Sequence, residues 1–237
     1  AVDAAGNTGP ATAADGTQIT LDRTAPTLTL AQASGQADPT NATPIQFTLS
    51  GNENLDSATI LAADFTIGNG TVASITGSGS SYTINVTPSG QGAVTITPSG
   101  TFSVSDPAGN AATTAGGSDR SVTYDTVAPT VSWSNTPSSP NKNTSVTYTL
   151  TFSEAVTGVA AGDFTNLGSA TGCSFSPSAS GGTSFTITIT SCSEGTLQPR
   201  FAANGATDAA GNTGPTSAQE ETQITLDRTA PPASWSG

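Results

Sequence analysis

VTYTLTF, residues 146–152, alternates apolar and hydroxyl-bearing side chains without a break: Val146, Tyr148, Leu150 and Phe152 share one face, and threonines fill the other. Successive side chains of a β-strand point to opposite sides, so a period of two marks a strand with one buried face. The outward threonines suit this backbone, because a branched Cβ packs well on a pleated surface. The same alternation recurs downstream in Phe185, Ile187 and Ile189. Upstream it recurs in Ile45, Phe47 and Leu49, in Tyr82, Ile84 and Val86, in Val94 and Ile96, and in Val122 and Tyr124. Gly, Pro, Asn and Ser cluster between these runs as turn signals, and no stretch has a helical period. About seven short strands per hundred residues predicts an all-β chain built from β-sandwiches.

The strands belong to a repeat. DAAGNTGP occurs at 3–10 and again at 208–215, with the variant DPAGNAAT at 106–113. Each phrase is followed at a constant interval by an aspartate that closes a strand-like run and opens a linker: Asp3 by Asp22, Asp106 by Asp125, and Asp208 by Asp227. The linker versions are TQITLDRTAP (17–26), RSVTYDTVAP (120–129) and TQITLDRTAP (222–231). Internal periodicity of this length indicates an array of structural units. The expected division is the closing loop and strand of a preceding repeat at 1–26, a first full unit at 27–129, a second at 130–231, and the start of a following repeat at 232–237. Residues 1–26 match 206–231 more closely than 104–129, which suggests a super-repeat of two alternating units. An unpaired strand in 1–26 also raises donor-strand exchange, although the second unit already has its own final strand.

Composition narrows the function. Seventeen acidic residues against five basic ones give a net charge of −12, with only 9% of residues charged. That balance argues against nucleic acid or an anionic membrane surface as partner, since both are held by clustered Lys and Arg. The chain has no His, the commonest general base and transition-metal ligand. No apolar run is long enough for a membrane helix. Cys173 and Cys192 flank one predicted hairpin. A disulfide in an exported protein fits them, with two free buried thiols as the alternative. Asn41, Asn69, Asn85 and Asn143 match the glycosylation sequon, a frequent chance match in a Thr-rich chain.

With the Asp-x-x-Ala-Pro linker, the DAAGN phrase and the internal FSEAVTG…GDF (152–164) in view, the unit resembles the bacterial immunoglobulin-like repeats of large surface adhesins. The resemblance covers both full units and the partial one. It implies tandem immunoglobulin-like β-sandwiches arranged end to end, and calcium bound where one repeat meets the next. The first unit departs from the pattern: it has SGNENLD (50–56) where the second has FSEAVTG (152–158), with Glu53 read as the counterpart of Glu154 and a loop longer by two residues.

Sandwich topology gives a reason for the acids to converge. The loop between the second and third strands and the loop between the last two lie at the pole where the chain enters. Glu53 and Asp106 are therefore expected near Asp22, and Glu154 and Asp208 near Asp125. Clustered carboxylates repel one another. A hard divalent cation reverses that, because Ca2+ takes roughly six to eight oxygen ligands. Asn110 and Asn212 are expected to add carbonyl oxygens, and Asp64 and Asp163 are further candidates. Each of these acids has an alternative role as an Asx-turn or strand-end cap. Asp3 and Asp227 belong to incomplete junctions. Zinc has no obvious site without His and with the cysteines paired.

The function expected from these features is a structural extracellular stalk or filament module, stiffened by calcium at its joints and by Pro26, Pro129 and Pro231. Its partners would be adjacent repeats of the same protein and other copies in a filament. The alternative is a binding module for a polysaccharide or protein. The candidate aromatics for such a platform are Trp133 and Trp235, both better placed for a core or junction role. An enzyme is not expected, because carboxylates that recur at every joint do not read as a catalytic pair.

Overall fold

The computed structural model describes residues 2, 4–8 and 20–233; Asp3 and Trp235, and residues 17–19 of the first linker strand, lie outside them. The first sandwich contains β1 (Leu28–Gln32), β2 (Ile45–Gly51), β3 (Phe65–Gly68), β4 (Gly70–Ser78), β5 (Ser81–Pro88), β6 (Gly92–Pro98), β7 (Val104–Ser105), β8 (Ala111–Ala112), β9 (Ala115–Gly116) and β10 (Ser121–Tyr124). One sheet has the order β4-β5-β2-β1-β9, and the other β10-β6-β3. Leu30, Phe47 and Ile84 from the first sheet and Val94, Ile96 and Val122 from the second are fully buried in one apolar cluster. The alternation decides this: β5 has the burial pattern exposed, buried, half-buried, buried along SYTI, so each second residue enters the core.

The second sandwich repeats the plan with β11 (Val131–Ser134), β12 (Ser145–Thr157), β13 (Phe164–Asn166), β14 (Ser174–Pro177), β15 (Gly181–Thr190), β16 (Gly195–Leu197), β17 (Pro199–Phe201), β18 (Ala206–Thr207), β19 (Thr213–Gly214), β20 (Gln219–Glu220) and β21 (Ile224–Leu226). Its larger sheet runs β14-β15-β12-β18-β19 with β11 also on β12, and shorter sheets join β13-β17-β20 and β16-β21. The core is more aromatic than that of the first unit. Phe152 meets Phe185 and Phe201 edge-on, each with ring centroids 5.6 Å apart. Such contacts add to the area buried. Trp133 packs edge-on against Tyr148 and Phe164, and its indole N–H donates to the Gln219 carbonyl at 3.1 Å. It is thus half-buried against the core, not an exposed platform.

Cys173 and Cys192 form a disulfide. The β14–β15 register pairs Ser174 with Thr190, which carries Cys173 opposite the residues just after β15. The first unit closes the same edge with a long β4 and no bridge.

Two features of this fold set the geometry of the joint. At one pole of each unit, the chain from the last core strands folds into a tight hairpin, β7–β8 or β18–β19, with the Asp-x-Ala-Gly-Asn phrase at its tip. Val104 pairs with Ala112, and Ala206 with Gly214. Val2 and Thr8 bridge as Thr207 and Thr213 do. At the opposite pole, the segment between the first two strands crosses to the last strand. Thr40 donates to Thr123 O at 2.9 Å and accepts from Asp125 N. Asn141 does the same with Thr225 O and Asp227 N.

Candidate metal centre

The hairpin tip is built to aim a carboxylate. In the first unit, Asp106 Oδ1 accepts the Asn110 backbone N–H at 2.9 Å and Oδ2 accepts the Asn110 side-chain amide at 2.8 Å. Asp208 is held identically by Asn212, at 2.8 Å for both bonds. Gly109 and Gly211 have φ of +88° and +95°, a left-handed turn that favours glycine, and this lets the tip close so tightly. Both aspartates are buried, 1% and 6% exposed.

The glutamates arrive from the second strand. Thr27 N–H donates to Asn52 Oδ1 at 2.7 Å, and Thr130 N–H donates to Ser153 Oγ at 3.0 Å. The next residues along the chain, Glu53 and Glu154, are therefore structural equivalents, despite the difference in loop length. Glu154 lies where the β12–β15 register slips between Thr151 and Val156, and such an irregularity re-aims side chains. The third acid comes from the linker. Asp22 Oδ1 accepts the Thr24 N–H at 3.0 Å, and Asp125 Oδ1 accepts the Val127 N–H at 2.9 Å. Both aspartates thus cap the bend that follows their strand, and each keeps its second carboxylate oxygen for other partners.

Two triplets result: Asp22, Glu53 and Asp106, and Asp125, Glu154 and Asp208. In each, one carboxylate oxygen per residue lies within 4.8 Å of the others. Each triplet takes one acid from the incoming linker and two from the unit after it. Electrostatics divides them into two roles. Hydrogen bonding lowers the Asp106 carboxyl below its ordinary range, chiefly through the Asn110 side-chain amide, with help from backbone N–H groups and against the effect of burial. Glu53 moves the other way: burial, then the charges of Asp22 and Asp106, raise its carboxyl. Glu154 is raised by burial, then by Asp208 and Asp125. The charges acting on both glutamates are like-signed. The donor set is oxygen only, the kind a hard divalent cation takes.

The remaining predicted ligands have different places. Asn110 and Asn212 turn their amide nitrogens to the aspartates. Asn212 also donates to Asp125 O at 3.0 Å. Their side-chain amides position the carboxylates, because an amide beside a carboxylate presents its donor. Asp64 and Asp163 belong to neither triplet. Asp64 Oδ2 accepts the Leu61 N–H at 2.8 Å, and Asp163 Oδ2 accepts the Ala160 N–H at 2.7 Å, each capping a short 3₁₀ turn. Asp227 makes the linker's Asx turn with Thr229 at 3.0 Å.

Sequence reasoning missed the residues that join the two units. Asn41, on the crossing segment of the first unit, donates through Nδ2 to Asn212 Oδ1 at 3.1 Å, and its N–H donates to Ala210 O at 3.3 Å. Gln91 Oε1 accepts the Thr126 N–H of the linker at 3.1 Å. In the sequence Asn41 reads only as a sequon, Gln91 carries no signal, and Gly214 is merely one letter of the repeated phrase. In the fold Gly214 lies under the linker, where a Cβ would stand 2.2 Å from Pro129 O.

No curated protein matches the chain. Among the described residues, no helix is long and apolar enough to cross a membrane. Bacterial Ig-like domains are a non-enzymatic fold family and are typically extracellular. Over residues 125–225, the stretch that supplies Asp125, Glu154 and Asp208 and nearly all of the second core, the chain matches the bacterial Ig-like domain family.

Proposed function

We propose that the chain is a spacer segment of an extracellular bacterial surface protein, its sandwich units stacked end to end and locked at each joint by Ca2+. One observation carries this reading. The same three acids meet twice at equivalent places, and each time one of them comes from the linker. A cation held by such a triplet bonds the linker to the next unit, so binding free energy becomes joint stiffness. Asp22, Glu53 and Asp106 would hold one ion, and Asp125, Glu154 and Asp208 the other, with backbone and water oxygens completing the shell. The ion supplies positive charge where the triplet has none. The chain's own residues do the rest: Asn110 and Asn212 hold the aspartates in place, Asn41 ties the crossing segment to the next hairpin, and Pro26 and Pro129 restrict the linker backbone. The outcome is reach, a rod that holds other parts of a surface protein away from the cell.

Small-angle scattering with and without chelator tests this. The expected result is a longer maximum dimension and lower flexibility with calcium, and calorimetry giving two sites per chain. Identical profiles, with no heat of binding, would overturn the reading.

A further inference from the structure

The linker leaving each unit is gripped by the same turn, and the two units brace that turn differently. Tyr124 pairs with Gly92 and Leu226 with Gly195, so Gln91 and Glu194, each one residue earlier, stand at the same place beside the linker. Gln91 Oε1 accepts the Thr126 N–H at 3.1 Å, and Glu194 Oε1 accepts the Arg228 N–H at 2.7 Å. The second grip is wider. Glu194 also accepts the Thr229 hydroxyl, at 3.1 and 3.0 Å, and the Cys192 carbonyl accepts the Arg228 guanidinium at 3.0 Å.

A side chain on a turn holds a linker only as firmly as the turn itself is held. In the first unit the Asn69 amide donates to Gly90 O at 2.8 Å and to Gln91 O at 3.2 Å, and Pro88 fixes its own φ at the start of the turn. In the second unit Asn166 turns its amide to Ala170 O and Thr196 O, and the turn is tied to residues 171–173 instead. Ser193 N–H donates to Thr171 O at 2.8 Å, Thr171 N–H donates to Ser193 Oγ at 2.9 Å, and the disulfide joins Cys192 to Cys173. Thr171 and Ser193 are exposed, so water competes for their hydrogen bonds. Ser191 has a φ of +62°, a left-handed conformation that a residue with a Cβ adopts only when its surroundings impose it. The disulfide is a tie that water does not contest, one residue from Ser191 and two from Glu194. We propose that the Cys173–Cys192 bridge positions the linker that leaves the second unit, by holding the turn in the shape that brings Glu194 and the Cys192 carbonyl to Arg228 and Thr229. The Asn69 amide does the same work in the first unit. The two linkers then answer to different conditions: residues 125–129 are set in any redox state, and residues 227–231 only once the cysteines are joined, as they are in an oxidising exterior. The inference needs neither calcium nor a stacked neighbour.

Backbone 15N relaxation of the full chain in chelator tests it, before and after reduction by a phosphine, which turns the S–S bond into two thiols and takes up an oxygen from water. Order parameters report motion within the folded state, so a general loss of stability does not move them. On reduction, those of Arg228, Thr229 and Ala230 should fall from about 0.85 to below about 0.6, with Thr126, Ile187 and Leu226 unchanged. Glu194→Ala should cause the same fall with the disulfide intact, and reduction should then add nothing at these residues. Unchanged values at 228–230, or a fall spread evenly over the second unit, would overturn the inference. Should the reduced second unit not stay folded, the first unit carries the test. Asn69→Gly tolerates the φ of +55° and deletes the amide, so Thr126 and Val127 should loosen; unchanged values there would overturn the inference too. A chain that binds no calcium yet loosens at 228–230 only when reduced would sink the calcium reading and support this one.

Discussion

Replacing Cys173 and Cys192 together by alanine removes a cross-link spanning a sequence separation of 19. In the chain-entropy description, closing a loop of this length removes about 11 cal/mol/K from the unfolded chain, or about 3 kcal/mol at 25 °C. The bridge joins residues of the second unit only, so the loss should fall on that unit alone. A domain of roughly a hundred residues has an unfolding entropy near 210 cal/mol/K, so its midpoint should drop by roughly 15 °C. The first unit, with a separate core and no cysteine, is the internal control. Calorimetry of the full chain should resolve one transition that moves and one that stays. Reduction with a phosphine provides the same loss without deleting sulfur atoms. This matters because Cys192 is 9% exposed and its truncation also costs packing. A drop below about 1 kcal/mol, or equal drops in both transitions, would refute the reasoning.

Glu154→Gln should abolish calcium uptake at the second joint while leaving the chelated protein slightly more stable, as seen by calorimetric titration and urea melts; retained affinity would count against the triplet. In chelator, Glu53 and Glu154 bind protons more tightly folded than unfolded. Their share of stability is therefore greatest in acid and falls as pH rises through and above the ordinary carboxylate range, whereas Asp106's share is lost as pH falls through its lowered value. Calcium affinity should accordingly weaken toward pH 5, where protons compete for the glutamates. Gly214→Ala would place a Cβ 2.2 Å from Pro129 O and 2.9 Å from its Cδ. The cost should be about 1–3 kcal/mol, with a displaced linker, readable as a lower midpoint and a broader inter-unit distance; an unchanged midpoint would argue against the contact. Tyr148→Phe should stabilise the second unit by about 1 kcal/mol in urea melts, because the buried hydroxyl has no partner among the described residues and Phe47 fills the matching place in the first unit; a loss of stability would contradict this.

The strands and the acids were legible for the same reason: both are written as regular spacings. Alternation at 45–49, 82–86 and 146–152 places side chains on a face whatever the rest of the fold does. The recurrence of Asp106 and Asp208 in one phrase carries over to one hairpin. Spacing does not reveal which atom of a side chain is used. Asparagine offers a carbonyl and an amide, and only the carboxylate beside Asn110 and Asn212 selects the amide. Nor does spacing reveal contacts between opposite poles. Asn41 and Asn212 are 171 residues apart, and no local pattern links them. The short hairpins around the Asp phrases contribute two residues per strand, too few to show a period. Asp64 and Asp163 precede phenylalanines in similar phrases, but a three-residue 3₁₀ turn stands between each and the previous loop, and the carboxylate satisfies that turn's N–H instead.

Within each triplet the acids do different work, which bears on how a joint could respond to a cation at all. If all three carboxylates were held by hydrogen bonds, the site would be rigid and charged with or without an ion, and binding would change little beyond itself. If none were held, mutual repulsion would scatter them. Here Asp106 and Asp208 are fixed by an asparagine amide and a tight turn, the linker aspartate is fixed through one oxygen, and the glutamate, raised in pKa and accepting no hydrogen bond among the described residues, is the group with freedom left. A cation would therefore act mainly on the glutamate and on the free oxygen of the linker aspartate. Ordering those two groups orders the path between units. That places the sensitivity of the joint at Glu53 and Glu154, not at the aspartates of the repeated phrase. Glutamine there should uncouple calcium from stiffness, while Asn110→Ala and Asn212→Ala should weaken the site by loosening an aspartate.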